Sequence, residues 1–160
     1  MDAQEALREQ LARLLTWEDA HAGLERAVAD LPAELRGVRP EGLPYSAWEL
    51  LEHLRRTQRD ILDFCRDPDY QEPESMAVYW PTGPEPRSAD AWDESVRACL
   101  ADREGLRALA LDPSVDLFAR VPVGSGQTFL RELVLVADHS AYHVGQLVAL
   151  RRLLGAWSGG

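Results

Sequence analysis

Only four histidines occur in the chain, at positions 21, 53, 139 and 143. His139 and His143 are four residues apart, so on an α-helix both imidazoles lie on one face, one turn apart. A helix can hold one metal ion through two side chains at this spacing. His53 stands in another segment of helical periodicity, and two helices of a bundle can bring three imidazoles to one point. Three neutral nitrogen ligands leave positions for solvent, as catalytic metal sites do.

These residues by themselves leave a second interpretation open. Two histidines at helical spacing also occur by chance, and either can be a surface residue or a hydrogen-bonded core residue. His21 repeats with Leu7, Leu14 and Val28 at every seventh position, which predicts that it faces the core. It is therefore interpreted either as a core histidine with a local partner or as a pocket residue near the metal.

Polar residues share the helix face of the paired histidines. At 100° per residue, Glu132 and Gln146 lie on the stripe that contains His139 and His143. Buried polar groups need partners, so these two side chains are predicted to line the pocket or to orient the ligating imidazoles. Trp80, which stands in a proline-rich segment, is predicted to form a wall of the pocket.

Other chemistries fit the sequence less well. Ser140 occupies the position at which an HExxH peptidase helix carries its glutamate base, which disfavours peptidase activity. Cys65 and Cys99 are too few for a disulfide scaffold, and Cys65 has no evident basic neighbour on its helix face, so a nucleophilic role for it is disfavoured. Both are predicted to be buried or half-buried thiols.

Four helical stretches would position these side chains. They are expected from about residue 3 to 30, from 46 to 66, from 88 to 112 and from 127 to 154. Ser46 and Glu49 match a capping box at the start of the second helix. The pattern predicts an all-α fold, a four-helix bundle that forms a single domain over residues 1–160.

Between the second and third helices lies a segment of about twenty residues, 67–87, that contains five prolines. Loops of this length are uncommon in small domains and often serve as lids or binding loops. The segment also carries aromatic residues, which predicts that it packs across a mouth of the domain instead of extending into solvent.

Charge narrows the possible partners. The 160 residues include 17 basic and 27 acidic side chains, for a net charge of −10, which argues against a nucleic-acid partner. The N-terminal residues lack the apolar core of a signal peptide, and no apolar run is long enough to span a bilayer. A cytoplasmic protein without a membrane partner is expected.

Two stretches resemble the DinB-like superfamily, which includes the YfiT-type metal-dependent hydrolases. They are residues 46–54, SAWELLEHL, and residues 138–147, DHSAYHVGQL, continued by RRLLG at 151–155. The resemblance implies a four-helix bundle that binds a divalent metal, commonly nickel or zinc, through His53, His139 and His143. It further implies a homodimer and, as in mycothiol-dependent isomerases and bacillithiol S-transferases, possible use of a low-molecular-weight thiol.

Two functions follow as competing hypotheses. The first is a divalent-metal-dependent enzyme of hydrolase or thiol S-transferase type that acts on an unidentified small molecule. The alternative is a non-catalytic stress-related or interaction bundle in which the histidine cluster is structural or vestigial. The sequence does not identify the metal, the substrate or the reaction.

Overall fold

The computed structural model describes residues 2–16 and 19–157. These residues form α-helices and short 3-10 turns and include no strand, which confirms the expected all-α class. The helices are α1 (Ala3–Leu14), α2 (Leu24–Val28), α3 (Ala47–Arg66), α4 (Ala91–Leu111) and α5 (Phe129–Leu153). None of the described helices is both long enough and apolar enough to cross a membrane.

Helix α3 is the central element, packed against both α4 and α5. Its first turn has the predicted capping box, in which Ser46 Oγ accepts from Glu49 N–H and the Glu49 carboxylate accepts from Ser46 N–H. These bonds satisfy amide donors that an uncapped helix would leave without partners. The helix start, and with it the position of His53 two turns later, is thus set by local sequence.

The directions of the long helices follow from their side-chain contacts. Successive residues of α3 meet successive residues of α4: Glu52 meets Ser95, Gln58 meets Cys99 and Arg66 meets Gly105. The two helices therefore run parallel. A parallel pair requires a connection that returns along the whole of α3, about 30 Å for 20 residues. This topology explains the length of the proline-rich segment.

Helix α5 runs antiparallel to α3. The first half of α3 shares a buried cluster with the second half of α5, including Leu50, Leu54 and Leu147. The second half of α3 shares another with the first half of α5, including Leu62 and Leu133. The early part of α3 consequently lies beside the middle and end of α5.

The prediction of one helix over residues 3–30 is wrong. Helix α1 ends at Leu14, and α2 begins only after Gly23, whose backbone is extended. Glycine lowers helix stability by about 1 kcal/mol relative to alanine, which favours a break at Gly23. Packing also separates α1 from α2. Residues of α1 join one core cluster, whereas residues of α2 join the other. Two residues of the expected core stripe, Leu14 and His21, are exposed as a result.

Candidate metal centre

Three histidines meet between α3 and α5. One ring nitrogen each from His53, His139 and His143 lies within 4.8 Å of the others, and the Nε2 atoms of His53 and His139 are 3.1 Å apart. The antiparallel packing brings them together, because His53 is near the start of α3 and the other two are in the middle of α5. His53 and His143 are buried and His139 is half-buried.

Hydrogen bonds orient two of the rings. His53 Nδ1 lies 3.2 Å from the carbonyl oxygen of Tyr79, which can only accept, so Nδ1–H donates to it. His143 Nδ1 donates to Gln146 Oε1 at 2.7 Å. In both rings the proton is on Nδ1, which leaves Nε2 with a lone pair directed away from these bonds. Gln146 therefore contacts the His143 ring, and its role in orienting a metal ligand stays a prediction.

The histidines are held neutral. Burial, followed by the proximity of the other two imidazoles, lowers the pKa of His53 to about 4. Burial and the neighbouring His143 lower the pKa of His139 to about 4. Burial also lowers the pKa of His143, against the opposing effect of its bond to Gln146. Neutral imidazole is the form that binds metal ions.

The donor set fits a divalent transition metal. Bonds of about 2.0–2.1 Å from zinc to nitrogen place neighbouring ligand nitrogens about 2.8–3.4 Å apart, from octahedral to tetrahedral geometry. The 3.1 Å between the Nε2 atoms of His53 and His139 falls in that range. Imidazole suits zinc, nickel and copper better than calcium or magnesium, which prefer oxygen. Three protein ligands leave coordination positions for another molecule.

Trp80 forms a wall of the site. Its ring stacks on His53 with centroids 3.9 Å apart and an interplanar angle of 8°, and its other face stacks on Tyr45 at 4.3 Å. Trp80 also meets His143 edge-on at 6.4 Å. The His53 ring is therefore held by a hydrogen bond at its edge and by an aromatic ring on its face.

The segment that carries Trp80 is fastened to α3 by residues that the sequence analysis did not identify. Arg56 donates to the carbonyls of Val78 and Trp80 at 2.9 and 3.0 Å. Asp60 accepts from the hydroxyls of Tyr70 and Tyr79 at 2.9 and 2.8 Å. Positions 53, 56 and 60 lie on one face of a helix. This spacing indicates that Arg56 and Asp60 hold the segment only if the segment is already known to cover that face of α3.

The remaining predicted residues lie elsewhere. His21 is exposed, its Nδ1 is 3.0 Å from the carbonyl oxygen of Ala22, and the cavities it borders include none of the three clustered histidines. The expectation that it faces the core is wrong because the helix that would have placed it there is interrupted. Glu132 is buried as expected, but it pairs with Arg131 at 2.7 Å, seven residues before His139.

Neither cysteine provides a nucleophile at the site. Cys65 and Cys99 are buried and not disulfide-bonded. Burial raises the pKa of each thiol to about 12, which leaves almost no thiolate at neutral pH. This agrees with the prediction that both are buried or half-buried thiols.

Comparison with known proteins connects the site to a family. The sequence model of the DinB superfamily matches residues 16–147, which include all three clustered histidines. No curated protein and no solved structure matches the chain significantly.

Proposed function

Because the chain belongs to the DinB superfamily, we propose that it is a divalent-metal-dependent enzyme whose metal is held by His53, His139 and His143. Nickel or zinc is the proposed ion. The reaction is of hydrolase or low-molecular-weight-thiol S-transferase type, and its substrate is a small molecule.

The observation that carries this proposal is the geometry of the cluster. One ring nitrogen of each of three imidazoles lies within 4.8 Å of the others, and two of the rings have their Nδ1 protons bound to Tyr79 and Gln146. Burying three basic groups together has a free-energy cost that a shared cation would offset. The same bonds fix the tautomers that metal ligation requires.

The residues around the cluster support chemistry with an external nucleophile. A divalent metal supplies Lewis acidity, which lowers the pKa of water or of a thiol. The chain's own thiols are buried with pKa values of about 12, so water or a small thiol has to enter from solvent. Trp80 covers one face of His53 and excludes water from that side, while Gln146 keeps the His143 ring in place.

Metal analysis of the purified chain tests the proposal. We expect about one equivalent of nickel or zinc in the native protein and a large loss in His53→Ala and in His143→Ala. His21→Ala is the matched control, since His21 is exposed and away from the cluster. The proposed metal site is wrong if the native chain retains no metal after incubation with either ion, or if the three variants behave alike.

Turnover separates the enzyme from the non-catalytic alternative. The metal-loaded chain is assayed for S-transfer from low-molecular-weight thiols to electrophiles and for hydrolysis of activated esters and amides. We expect activity that chelation abolishes and that added metal restores. If chelation lowers only the thermal stability and no turnover is found, the histidine cluster is structural and the interaction bundle is the better description.

A further inference from the structure

A largely apolar cavity lies beside the face of α5 that points away from the histidine cluster. It has a volume of about 250 Å³, and all five described helices border it. Ala137, Ala141 and Val144 border it from α5. At about 100° per residue, each of them lies about 100° or more around that helix from both His139 and His143. The cavity and the proposed metal site therefore use different faces of the same helix.

The lining and the size of this cavity suit a small apolar molecule. The described lining is mainly aliphatic and includes Leu14, Leu15, Leu24, Leu54 and Val144. A cavity of about 150 Å³ with such a lining stays free of water and binds benzene. The volume here leaves room for a benzene ring that carries a short substituent. Ala20 and His21 are exposed and border the cavity, so a molecule can enter it from the connection between α1 and α2.

One buried donor beside this cavity has no acceptor. Arg103 is 9 % exposed and borders the cavity from α4. Its two terminal nitrogens donate to the Glu25 carboxylate, and its Nε is buried without a hydrogen-bond partner among the described residues. Buried polar groups are almost always hydrogen-bonded, and a donor left without an acceptor costs free energy. A ligand that brings an oxygen to the Arg103 Nε–H would remove this cost.

The charges around Arg103 favour a neutral ligand. The hydrogen bond from Arg103 lowers the pKa of Glu25, so this carboxylate is ionised at neutral pH and balances the guanidinium charge. The described lining contains no aspartate, no glutamate and no second arginine. The Cys99 thiol borders the cavity and is uncharged, because burial raises its pKa to about 12. An anion would therefore be buried beside a cation that is already paired, which disfavours a carboxylate and favours a carbonyl oxygen.

We propose that this cavity binds a small neutral molecule with an apolar body and one carbonyl oxygen, such as an aryl ketone. The aliphatic lining covers the apolar body, and Arg103 Nε–H donates to the carbonyl oxygen. The site goes beyond the proposed function, because none of the clustered histidines borders it and it needs no metal. The chain thus has a ligand site on the face of α5 opposite the histidine cluster.

Probes of matched shape test the proposal by NMR titration of the full chain without added metal. Acetophenone carries the carbonyl oxygen, and α-methylstyrene has a CH₂ group in its place. We expect acetophenone to bind about ten-fold tighter, because its oxygen accepts a hydrogen bond from a charged donor. Acetophenone should also shift the cross-peak of the Arg103 Nε–H group, whereas α-methylstyrene should perturb only the methyl groups of the lining. Benzoate, which adds a negative charge, should bind more weakly than acetophenone.

A larger side chain in the cavity locates the site. Ala137→Leu fills part of the space, because Ala137 is buried and borders the cavity, and it should weaken acetophenone binding at least ten-fold. Ala101→Leu, at an exposed position of α4 outside the cavity, is the matched control and should leave the affinity unchanged. The cross-peak of Arg103 in the native chain tests the same site without any substitution.

Several results would overturn this ligand site. They are the absence of acetophenone binding to the native chain, equal affinities of the two matched probes, an unmoved Arg103 cross-peak, tighter binding of benzoate, or an unchanged affinity in a folded Ala137→Leu variant. Because no metal is added in these titrations, each of these results would leave the proposed metal function standing. Loss of metal binding in the histidine variants is measured separately.

Discussion

Single side chains decide how the imidazoles are oriented. Both His53 and His143 donate through Nδ1, one to a backbone carbonyl and one to a side-chain amide. Gln146 is held in turn, because its Nε2 donates to the Tyr142 hydroxyl at 3.3 Å. Partners of this kind fix the tautomer and increase the basicity of a metal ligand. The identity of residue 146 should therefore matter almost as much as that of the ligands.

Gln146→Ala should weaken metal binding by about 10- to 100-fold, since it removes the acceptor for His143 Nδ1–H. Gln146→Glu keeps an acceptor at the same place and should retain the metal. Competition with a chromophoric chelator measures the affinity, and Gln10→Ala on the exposed side of α1 is the control. Equal affinities of the alanine and glutamate variants would contradict the orienting role.

At the scale of elements, the parallel pairing of α3 and α4 determines how the site is covered. The proline-rich segment 67–87 returns along α3 and contacts Asp60, Arg56 and His53 in turn. At the start of α3, the Ser46 hydroxyl donates to the Pro84 carbonyl of the same segment. The segment 67–87 was predicted to pack across a mouth of the domain. Its length is explained by topology, whereas its aromatic residues have separate partners: Trp80 stacks on His53, and the hydroxyls of Tyr70 and Tyr79 donate to Asp60.

Arg56→Met should loosen the covering segment. The arginine donates two hydrogen bonds to carbonyls of residues 78 and 80, and losing them should lower the local opening free energy by about 2 kcal/mol. Hydrogen exchange of the amides around Trp80 should then become about 30-fold faster. Arg97→Met, at an exposed position of α4, is the matched control. Exchange rates equal to those of the native chain would show that stacking alone holds the segment.

Two helix glycines should respond oppositely to alanine. A Cβ at Gly105 would lie 2.8 Å from Leu62 Cδ2, in the close contact between α4 and α3, whereas a Cβ at Gly145 would meet nothing within 4 Å. Gly145→Ala should stabilise the chain by up to about 1 kcal/mol through helix propensity. Gly105→Ala should destabilise it by about 1 kcal/mol, because overpacking outweighs the same gain. Urea unfolding of both variants measures the two signs.

In the whole molecule, arginine supplies every basic side chain, 17 in all. Arg8 donates to the carbonyls of Ala110 and Asp112 at the end of α4, and Arg151 donates to carbonyls at the end of α2. The last carbonyls of a helix have no intrahelical donors, so in both places an arginine from another helix supplies the missing hydrogen bonds. The surplus of acidic residues remains an argument against nucleic-acid binding, and the expected homodimer remains a proposal that sedimentation can test.

Acid should destabilise the metal-free chain in two steps. In the folded chain the pKa values of His53 and His139 are about 4, below the ordinary 6.5. Between about pH 6.5 and 4 the unfolded chain therefore binds protons that the folded chain does not, and the free energy of unfolding falls over that range. Burial alone would raise the pKa of Glu52, but hydrogen bonds from Arg55, Ser95 and Arg56 outweigh it and lower that pKa from 4.5 to about 2. Its stabilisation is present above about pH 4.5 and is lost as the pH falls toward 2.

Urea midpoints at several pH values measure these steps. His139→Gln should reduce the loss between pH 7 and about 4.5, whereas His21→Gln should leave it unchanged because His21 is exposed. Bound metal should shift the first step to lower pH, since ligation keeps the imidazoles deprotonated. An identical pH profile for His139→Gln and the native chain would refute the assignment of the first step to the cluster.

The sequence by itself determined the helical class, the capped start of α3 and the one-face spacing of His139, Gln146 and His143, because these depend on residues within a few turns. It did not determine where the first helix breaks or that α3 and α4 are parallel. Those features depend on contacts between residues far apart in the chain, which periodicity does not encode. Only the tertiary packing places His53 beside His139. Only the segment 67–87, which returns along α3, supplies the Tyr79 carbonyl and the Trp80 ring that hold His53.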